Sequence, residues 1–316
     1  MSDPDNGLEK MDRELKGVIT RGHGNSFIVF TEGRYISCQL RGKVKFATRK
    51  TSPVVVGDDV IVSLIGEKEG VIERVEPRRT VLSRPAIGRD DLEHVLAANI
   101  DSLVIVVSIK EPPLKTGLID RFLIAARIGG LLPAIVLNKM DLRLDETQTQ
   151  IINHYRKLEY RLFLTSATES AAEGNEIETF RRYLGEHRSL LAGHSGVGKT
   201  ALLNALMPEL ELPTAEISAA TNRGRHTTSR MELFHLASGG FVIDSPGMKV
   251  LGLWEVNKES LWEYYPEMHQ YQDQCRFTGC THTHEPGCRV REAAENGEIP
   301  SFRYRNYNQI YNSLST

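Results

Sequence analysis

The chain has 316 residues, enough for two or three domains, and its 40% hydrophobic and 25% charged residues are typical of a globular protein. No apolar run approaches the roughly 18 residues of a membrane helix, and the polar, acidic N-terminus lacks the apolar core of a signal peptide. These features predict a cytoplasmic protein that does not contact membranes. The net charge of −2 neither supports nor excludes nucleic-acid binding, because a nearly neutral protein can still have one basic face.

The N-terminal quarter predicts a small β-barrel behind a flexible tail. Residues 1–16 form the predicted tail, and residues 17–82 contain short β-like runs separated by glycine turns. Several short strands over this length favour an OB-type five-stranded barrel. A basic cluster lies near its middle: Arg41, Lys43, Lys45, Arg49 and Lys50. That cluster has two equally weighted interpretations, a solvated strand face or a surface that contacts a nucleic-acid backbone.

The rest of the chain predicts an α/β domain and a short C-terminal module. In residues 83–253, buried strand-like runs alternate with helix-like ones, the pattern of a mostly parallel sheet with helices on both faces. Two of its runs, MELFHLA and FVIDSPG, are joined by Ser-Gly-Gly and predict an antiparallel hairpin. Residues 254–316 are aromatic, charged and cysteine-bearing, and they are too few for a large core, so a metal ion is a plausible staple.

A phosphate-binding loop is the most specific motif. GHSGVGKT fits G-x-x-x-x-G-K-[ST], with a strand-like run before it and a helix-like run after it. Glycines let backbone N–H groups turn toward phosphate oxygens, and the helix N-terminus adds positive potential. We expect Lys199 to reach the β- and γ-phosphates and Thr200 to bind Mg²⁺. The alternative is an ordinary glycine-rich turn before a helix, which would not require every position of the motif. The predicted loop residues are Gly193, His194, Ser195, Gly196, Val197, Gly198, Lys199, Thr200 and Ala201.

A second motif predicts guanine recognition. Four residues end the strand-like run LPAIVLNK: Asn138, Lys139, Met140 and Asp141. The carboxylate of Asp141 can accept from both N1–H and the 2-amino group of guanine, a donor pair that adenine lacks. Asn138 would brace the loop, and the stem of Lys139 would lie along the base. N-K-x-D alone is a weak motif, but Ser166-Ala167 ends the next strand-like run, and a backbone N–H there would donate to guanine O6.

Two further motifs stand where sensors of the γ-phosphate are expected. FVIDSPG contains D-x-x-G, in which Asp244 would belong to the Mg²⁺ shell and the Gly247 N–H would contact the γ-phosphate. Residues 221–230, TNRGRHTTSR, lie between the phosphate loop and D-x-x-G, the place of a first switch. Thr227 or Thr228 would close over Mg²⁺ there, and a polar surface loop is the alternative.

The sequence lacks the glutamine that positions the attacking water in Ras-type GTP hydrolysis. Met248 follows the D-x-x-G motif, where Ras-type enzymes carry a glutamine that orients this water. His226 is the nearest candidate along the sequence, and we expect it either to orient or deprotonate the water or only to contact a partner. The predicted catalytic residues are His226, Lys199 and Thr228.

The cysteines predict a metal site rather than disulfides. Three of the four, Cys275, Cys280 and Cys288, lie close together beside His282 and His284. Three thiolates and one imidazole are the ligand set of a structural zinc site, which leaves no position for a water ligand. Either histidine completes the set. Free cytosolic thiols are the alternative, which this density of ligands disfavours.

In chain order, these motifs resemble the ribosome small-subunit-dependent GTPase A (RsgA, or YjeQ) family of circularly permuted GTPases. NKMD and TSA precede GHSGVGKT, GRHTT and DSPG, whereas in ordinary GTPases the guanine motifs follow the phosphate loop. The resemblance covers nearly the whole chain after the tail. Family members also lack the Ras-type glutamine, and many have serine at the position of Thr200. The family spacing C-x₄-C-x-H-x₅-C implies these zinc ligands, without His284: Cys275, Cys280, His282 and Cys288.

The resemblance implies a GTPase that binds the small ribosomal subunit late in its maturation, hydrolyses GTP to GDP faster there, and leaves. Mg²⁺ would accompany GTP, the barrel (17–82) and the zinc module (254–316) would contact ribosomal RNA, and we expect a monomer. Four C-terminal residues either bind RNA or pack on the zinc module: Arg303, Tyr304, Arg305 and Tyr307. Two other functions are an RNA-binding protein in which GTP only gates affinity, and a small-metabolite kinase, which the guanine motifs disfavour.

Overall fold

The computed structural model describes residues 14–41, 54–86, 89–168, 174–208, 231–245 and 252–314, with the backbone alone at 89–91. Five strands close an N-terminal barrel: β1 (Glu14–His23), β2 (Ser26–Thr31), β3 (Arg34–Leu40), β4 (Asp59–Leu64) and β5 (Glu69–Val75). The strand order β1-β2-β3-β5-β4 closes on itself, and alternate side chains such as Val29, Ile36 and Ile72 fill the interior. The predicted five-stranded barrel is thereby confirmed, although its first strand begins inside the segment predicted as the tail.

The basic cluster of the barrel falls mostly outside the described residues. Lys43, Lys45, Arg49 and Lys50 belong to that undescribed part of the chain. Arg41 follows β3, is exposed, and forms an ion pair with Glu73 on β5. For Arg41, the structure therefore agrees with a solvated strand face.

A six-stranded sheet forms the centre of the molecule. Its strands are β8 (Ser102–Ser108), β9 (Leu132–Asn138), β10 (Arg161–Leu164), β11 (Arg188–Ala192), β12 (Glu232–His235) and β13 (Phe241–Asp244). They lie in the order β10-β9-β8-β11-β13-β12, and every neighbouring pair is parallel except β12 and β13. The mostly parallel sheet and the hairpin at its end are therefore confirmed. A separate hairpin of β6 (Val81–Ala86) and β7 (Arg89–Ala98), which the sequence did not predict, precedes this sheet.

Helices cover both faces of this sheet: α1 (Thr116–Gly129), α2 (Glu146–Lys157), α3 (Ile177–Gly185) and α4 (Lys199–Leu206). Successive side chains of a strand point to opposite faces, so the fully buried strand β8 must be covered twice. Ile105 packs in one core with Phe122 of α1, whereas Val106 packs in the other core with Phe180 of α3. Within the described ranges, no helix is long and apolar enough to cross a membrane.

The C-terminal module packs on α1. Its helices are α5 (His269–Gln272), α6 (Arg289–Glu295) and α7 (Ser301–Ser313). Arg303 of α7 is 1% exposed and pairs with Asp120 of α1 and with Glu267, whose Oε1 lies 2.5 Å from Nε. Asn306 of α7 donates to Asp120 Oδ2 at 2.7 Å, and the Arg303 guanidinium lies 4.5 Å from the centre of the Tyr265 ring. A buried ionic network therefore joins the module to the sheet domain.

This packing decides between the two interpretations of the C-terminal tyrosines and arginines. Tyr304 donates to the carbonyl of His282 at 2.8 Å, and Tyr307 is buried and donates to the carbonyl of Thr281 at 2.6 Å. Arg303 is committed to its ion pairs, and of these four residues only Arg305 is exposed. The helix packs on the loop that carries His282, and the RNA-contact interpretation is wrong for its buried members.

The barrel contacts the sheet through aromatic rings and an ion pair. The ring of Phe30 on β2 stacks on His235 with centroids 4.8 Å apart and meets the edge of Phe241 at 5.7 Å. Arg188 at the start of β11 binds Asp59 of the barrel at 2.8 Å. The barrel is therefore held against β12 and β13, at one end of the six-stranded sheet.

Candidate functional site

The carboxyl ends of the parallel strands bring the predicted nucleotide motifs to one edge of the sheet. Asn138 ends β9, Ser166 follows β10, Gly193 follows β11, and Asp244 ends β13. Because these strands are neighbours or one strand apart, motifs separated by about a hundred residues along the chain become adjacent in space. Such an edge is where open α/β sheets bind ligands.

Asn138 connects the base motif to the phosphate loop. Its buried side chain donates from Nδ2 to the carbonyl of Val197 at 2.9 Å. A Cβ at Gly198, where φ is 94°, would lie 2.3 Å from this Nδ2 atom. A Cβ at Gly193 would similarly lie 2.2 Å from the carbonyl oxygen of Val106. Glycine at these two positions therefore lets the loop approach both strands, while Ser195 and Gly196 in its middle stay exposed.

Lys199 and Asp244 are both withdrawn from water. Lys199 is 8% exposed, and its ammonium donates to the carbonyls of Gly193 and His194 at 2.9 and 3.2 Å. Burial lowers the pKa of Lys199, and the charge of Asp244 opposes this shift. Burial likewise raises the pKa of Asp244, Lys199 lowers it, and Glu232 on β12 raises it further. Among the residues that the structure describes, the ammonium hydrogen-bonds only these two carbonyls, in a loop with little access to water.

Thr200 and Ala201 follow in the first turn of α4, and both are half-buried. The residues of the other predicted contacts to magnesium, the γ-phosphate and water lie outside the described part of the chain: His226, Thr227, Thr228, Gly247 and Met248.

Two loops interlock beside the phosphate loop. The Met140 N–H donates to the carbonyl of Thr165 at 3.1 Å, and the Ser166 hydroxyl donates to Asp141 Oδ1 at 2.7 Å. Asp141 is exposed, so its carboxylate is held by the serine yet open to a ligand. The ammonium of Lys139 donates to the carbonyl of Glu111, in the loop that follows β8. An oriented, open carboxylate is suited to a ligand with adjacent N–H donors.

Sequence reasoning missed two residues that hold these loops. Asn175 makes hydrogen bonds to both backbone groups of Ser166, and Gln148 donates to the carbonyl of Ile109 at 2.9 Å. Asn175 stands before a predicted helix, where asparagine usually indicates a turn or a cap. Gln148 follows Asp145 at the spacing of a capping box, which the structure contains. Each residue already has a local role, in a turn or in a helix cap. The sequence therefore gives no sign of its tertiary hydrogen bonds.

The C-terminal cluster has the geometry of a metal site. The ligand atoms of Cys275, Cys280, His282 and Cys288 all lie within 4.8 Å of one another. His282 Nδ1 lies 3.6 and 3.5 Å from the sulfurs of Cys275 and Cys288. A tetrahedral ion with ordinary Zn–S and Zn–N bonds would separate such atoms by about 3.6 Å. His284 is exposed and hydrogen-bonds Thr283, so the structure places His282, not His284, in the cluster.

The electrostatics of this cluster also fit a cation. Burial raises the pKa of the Cys280 thiol to about 12 and lowers the pKa of His282. Thiolates at neutral pH therefore need a nearby positive charge, which a bound metal ion supplies. Glu285 fixes the loop between the ligands, because its carboxylate accepts from the N–H groups of Thr281 and Thr283. These residues could hold a metal ion.

Known protein families and relatives match most of this chain. The model of the RsgA GTPase family matches residues 75–254, and that of the RsgA N-terminal domain matches residues 16–72. A small ribosomal subunit biogenesis GTPase RsgA from Geobacillus sp. (strain WCH70) is 40% identical over 92% of this chain and 94% of its own length. The protein of the same name from Chlorobaculum parvum is 39% identical over 96% of this chain and 99% of its own length.

Solved structures agree with the fold. YjeQ from Thermotoga maritima has a TM-score of 0.73 and 34% identity, covering 96% of this chain and 99% of its own. YloQ, described as a circularly permuted GTPase, has a TM-score of 0.68 and 28% identity, covering 98% of this chain and 99% of its own. The resemblance drawn from the motifs is therefore confirmed, and a metabolite kinase is excluded. The chain belongs to the RsgA GTPase family of circularly permuted GTP hydrolases.

Proposed function

We propose that this GTPase binds the small ribosomal subunit in the cytoplasm and hydrolyses GTP to GDP and phosphate late in subunit maturation. Relatives that align over nearly their whole length carry the name small ribosomal subunit biogenesis GTPase. The observation that carries the proposal is the convergence of the phosphate loop, both guanine motifs and Asp244 at one sheet edge. Binding to the subunit accelerates hydrolysis in this proposal, and the protein acts as a monomer.

The base is read by the two interlocked loops. Asp141 accepts from N1–H and the 2-amino group of guanine, and a backbone N–H of Ser166-Ala167 donates to O6. Asn138 holds the base loop against the phosphate loop through Val197, and the stem of Lys139 lies along the base. The hydrogen bond from Ser166 to Asp141 supports this assignment, because it fixes the carboxylate before the base arrives.

The phosphates are bound by the glycine-rich loop. Its backbone N–H groups and the N-terminus of α4 supply positive potential toward the anion. Lys199 exchanges its two loop carbonyls for β- and γ-phosphate oxygens, and Thr200 and Asp244 serve the Mg²⁺ that accompanies GTP. The Gly247 N–H contacts the γ-phosphate, and Thr227 or Thr228 closes over the ion.

Hydrolysis uses His226 in this proposal. Met248 has no hydrogen-bonding group able to orient water, and a histidine in the first switch supplies one. His226 orients or deprotonates the attacking water, while Lys199 and Thr228 act on the transferred phosphoryl group. Slow intrinsic turnover is then expected, because in this proposal the histidine acts only when the subunit is bound.

The metal module holds one structural zinc ion through Cys275, Cys280, His282 and Cys288. The protein as purified is expected to contain about one zinc ion per chain, measured by plasma mass spectrometry. Chelation should make these three thiols reactive toward a thiol reagent, because their buried loop loses its cross-link. Cys38→Ala, a change inside the barrel, is the control and should keep the ion. Absence of zinc from freshly purified protein would exclude the assignment.

The barrel and the metal module contact ribosomal RNA in this proposal. Phe277, between two metal ligands, is 45% exposed, and the Arg276 guanidinium lies 5.4 Å from the centre of its ring. An exposed ring beside a guanidinium can stack on an unpaired base and pair with a phosphate. Arg305 adds positive charge at an exposed position.

The function is tested by measuring GTP turnover with and without small ribosomal subunits. We expect at least about tenfold stimulation, since a catalytic group supplied in trans by a partner accelerates GTP hydrolysis strongly in other GTPases. Large ribosomal subunits are the control and should not stimulate. A nucleotide-gated RNA-binding protein would instead bind subunits without faster turnover. His226→Ala should bind subunits and lose the stimulation; full stimulation in this variant would limit His226 to a contact with the partner.

A further inference from the structure

Asn175 holds the backbone of the Ser166-Ala167 motif from outside the nucleotide motifs. Its Nδ2 donates to the Ser166 carbonyl at 2.9 Å, and its Oδ1 accepts from the Ser166 N–H at 3.3 Å. The same Oδ1 accepts from the N–H of Ile177 in the first turn of α3, at 3.2 Å. One side-chain amide therefore fixes both backbone groups of the serine whose hydroxyl binds Asp141.

This contact determines the direction of the next N–H group. The peptide between Ser166 and Ala167 is trans, so its C=O and N–H point in opposite directions. Because Asn175 holds the Ser166 carbonyl, the Ala167 N–H must point away from Asn175. The Ser166 N–H is already bonded, whereas the Ala167 N–H has no acceptor among the residues that the structure describes. Ala167 therefore offers the remaining backbone donor of this motif.

We propose that Asn175 is a positioning residue for guanine specificity, which presents the Ala167 N–H to the oxygen at position 6 of the base. The inference rests on the proposed guanine site. Asn175 itself does not touch the nucleotide. It acts through the orientation of one peptide plane, whereas Asp141 reads N1–H and the 2-amino group from the other loop.

The test compares GDP with two analogues, using calorimetric affinities of the full-length protein. In 6-thio-GDP the oxygen at position 6 becomes sulfur, a weaker acceptor, whereas IDP keeps that oxygen and lacks the 2-amino group. In Asn175→Ala, we expect the preference for GDP over 6-thio-GDP to fall roughly three- to tenfold, the worth of one neutral hydrogen bond. The preference for GDP over IDP should fall less than this, because the Asp141 carboxylate and the hydrogen bond from Met140 to Thr165 that holds its loop both remain.

Asn175→Asp separates orientation from folding. Its carboxylate still accepts from Ile177 and Ser166 but repels the Ser166 carbonyl, so it should lose the same preference while keeping the start of α3. Asn153→Ala, an exposed change on α2, is the matched control and should behave as wild type. Equal weakening of all three nucleotides, or an unchanged GDP to 6-thio-GDP ratio in the aspartate variant, would overturn the inference.

The same measurements distinguish a failure of the proposed guanine site from a failure of the Asn175 inference. If wild-type protein binds GDP and IDP equally, the role of Asp141 is wrong, whereas a reduced 6-thio-GDP discrimination in the variants still supports Asn175. If wild-type protein binds GDP and 6-thio-GDP equally, no contact to position 6 exists, and the Asn175 inference is overturned while Asp141 retains its support.

Discussion

Replacing Asp141 with asparagine is expected to reverse the base preference from GTP to XTP. The asparagine NH₂ group would face the 2-amino group of guanine, donor against donor, whereas xanthine presents a carbonyl oxygen at that position. Sites built around a hydrogen bond reject the unmatched analogue by about 10⁴-fold, so the GTP to XTP ratio of kcat/KM should change by that order. Turnover of both nucleotides by wild type and Asp141→Asn measures the effect.

Asp145→Asn is the matched control for this exchange. Asp145 is the N-cap of α2, where it accepts from the Gln148 N–H at 2.7 Å, and asparagine caps a helix as well as aspartate does. This variant should keep the preference for GTP. A variant at position 141 that retained wild-type GTP preference would show that the carboxylate does not read the base.

Replacing Arg303 with alanine is expected to lower the free energy of unfolding by about 3–5 kcal/mol, the usual cost of breaking a buried ion pair. Burial raises the pKa of Asp120, and the positive charge of Arg303 opposes this shift. Burial also acts to raise the pKa of Glu267, but the nearby His154, whose Nε2 lies 3.4 Å from Oε1, and the charge and hydrogen bonds of Arg303 lower it to about 2. Without the guanidinium, two buried carboxylates lose their shared partner.

Arg305→Ala is the control for this prediction. It removes the same type of side chain two residues away on α7, but from an exposed position, so its effect should stay within about 0.5 kcal/mol. Urea unfolding followed by tryptophan fluorescence is suitable, because both tryptophans, Trp254 and Trp262, lie in the C-terminal region. Equal stabilities of the two variants would mean that the network does not hold the module to α1.

Much of the candidate nucleotide site could be predicted, because it consists of short motifs. A phosphate loop needs glycines at fixed spacing before a helix, and guanine recognition needs a carboxylate after a buried strand. The order of these motifs did not obstruct the prediction, since parallel strands bring their ends to one edge whatever their order along the chain. The candidate metal ligands were predictable for the same reason. The family spacing already left out His284, and the contacts in the structure agree with that choice.

Residues whose roles depend on distant partners could not be predicted in this way. Arg303 and Tyr307 are residue types typical of RNA-binding helices. However, Arg303 pairs with Asp120, 183 positions earlier, and Tyr307 donates to the carbonyl of Thr281 in the loop of the cysteine cluster. Asn175 looks like an ordinary turn residue until the strand ends are assembled beside it.

By itself, the sequence determined the barrel, the parallel sheet, the nucleotide motifs and the cysteine cluster, because each depends on residue type and spacing over a few tens of residues at most. Only the tertiary structure decided that α7 is a packed helix, that Asn175 hydrogen-bonds the backbone of Ser166, and that the C-terminal module is anchored to α1. The physical reason is that a buried polar group must find a partner, and the chain's path through space determines which partner lies within reach.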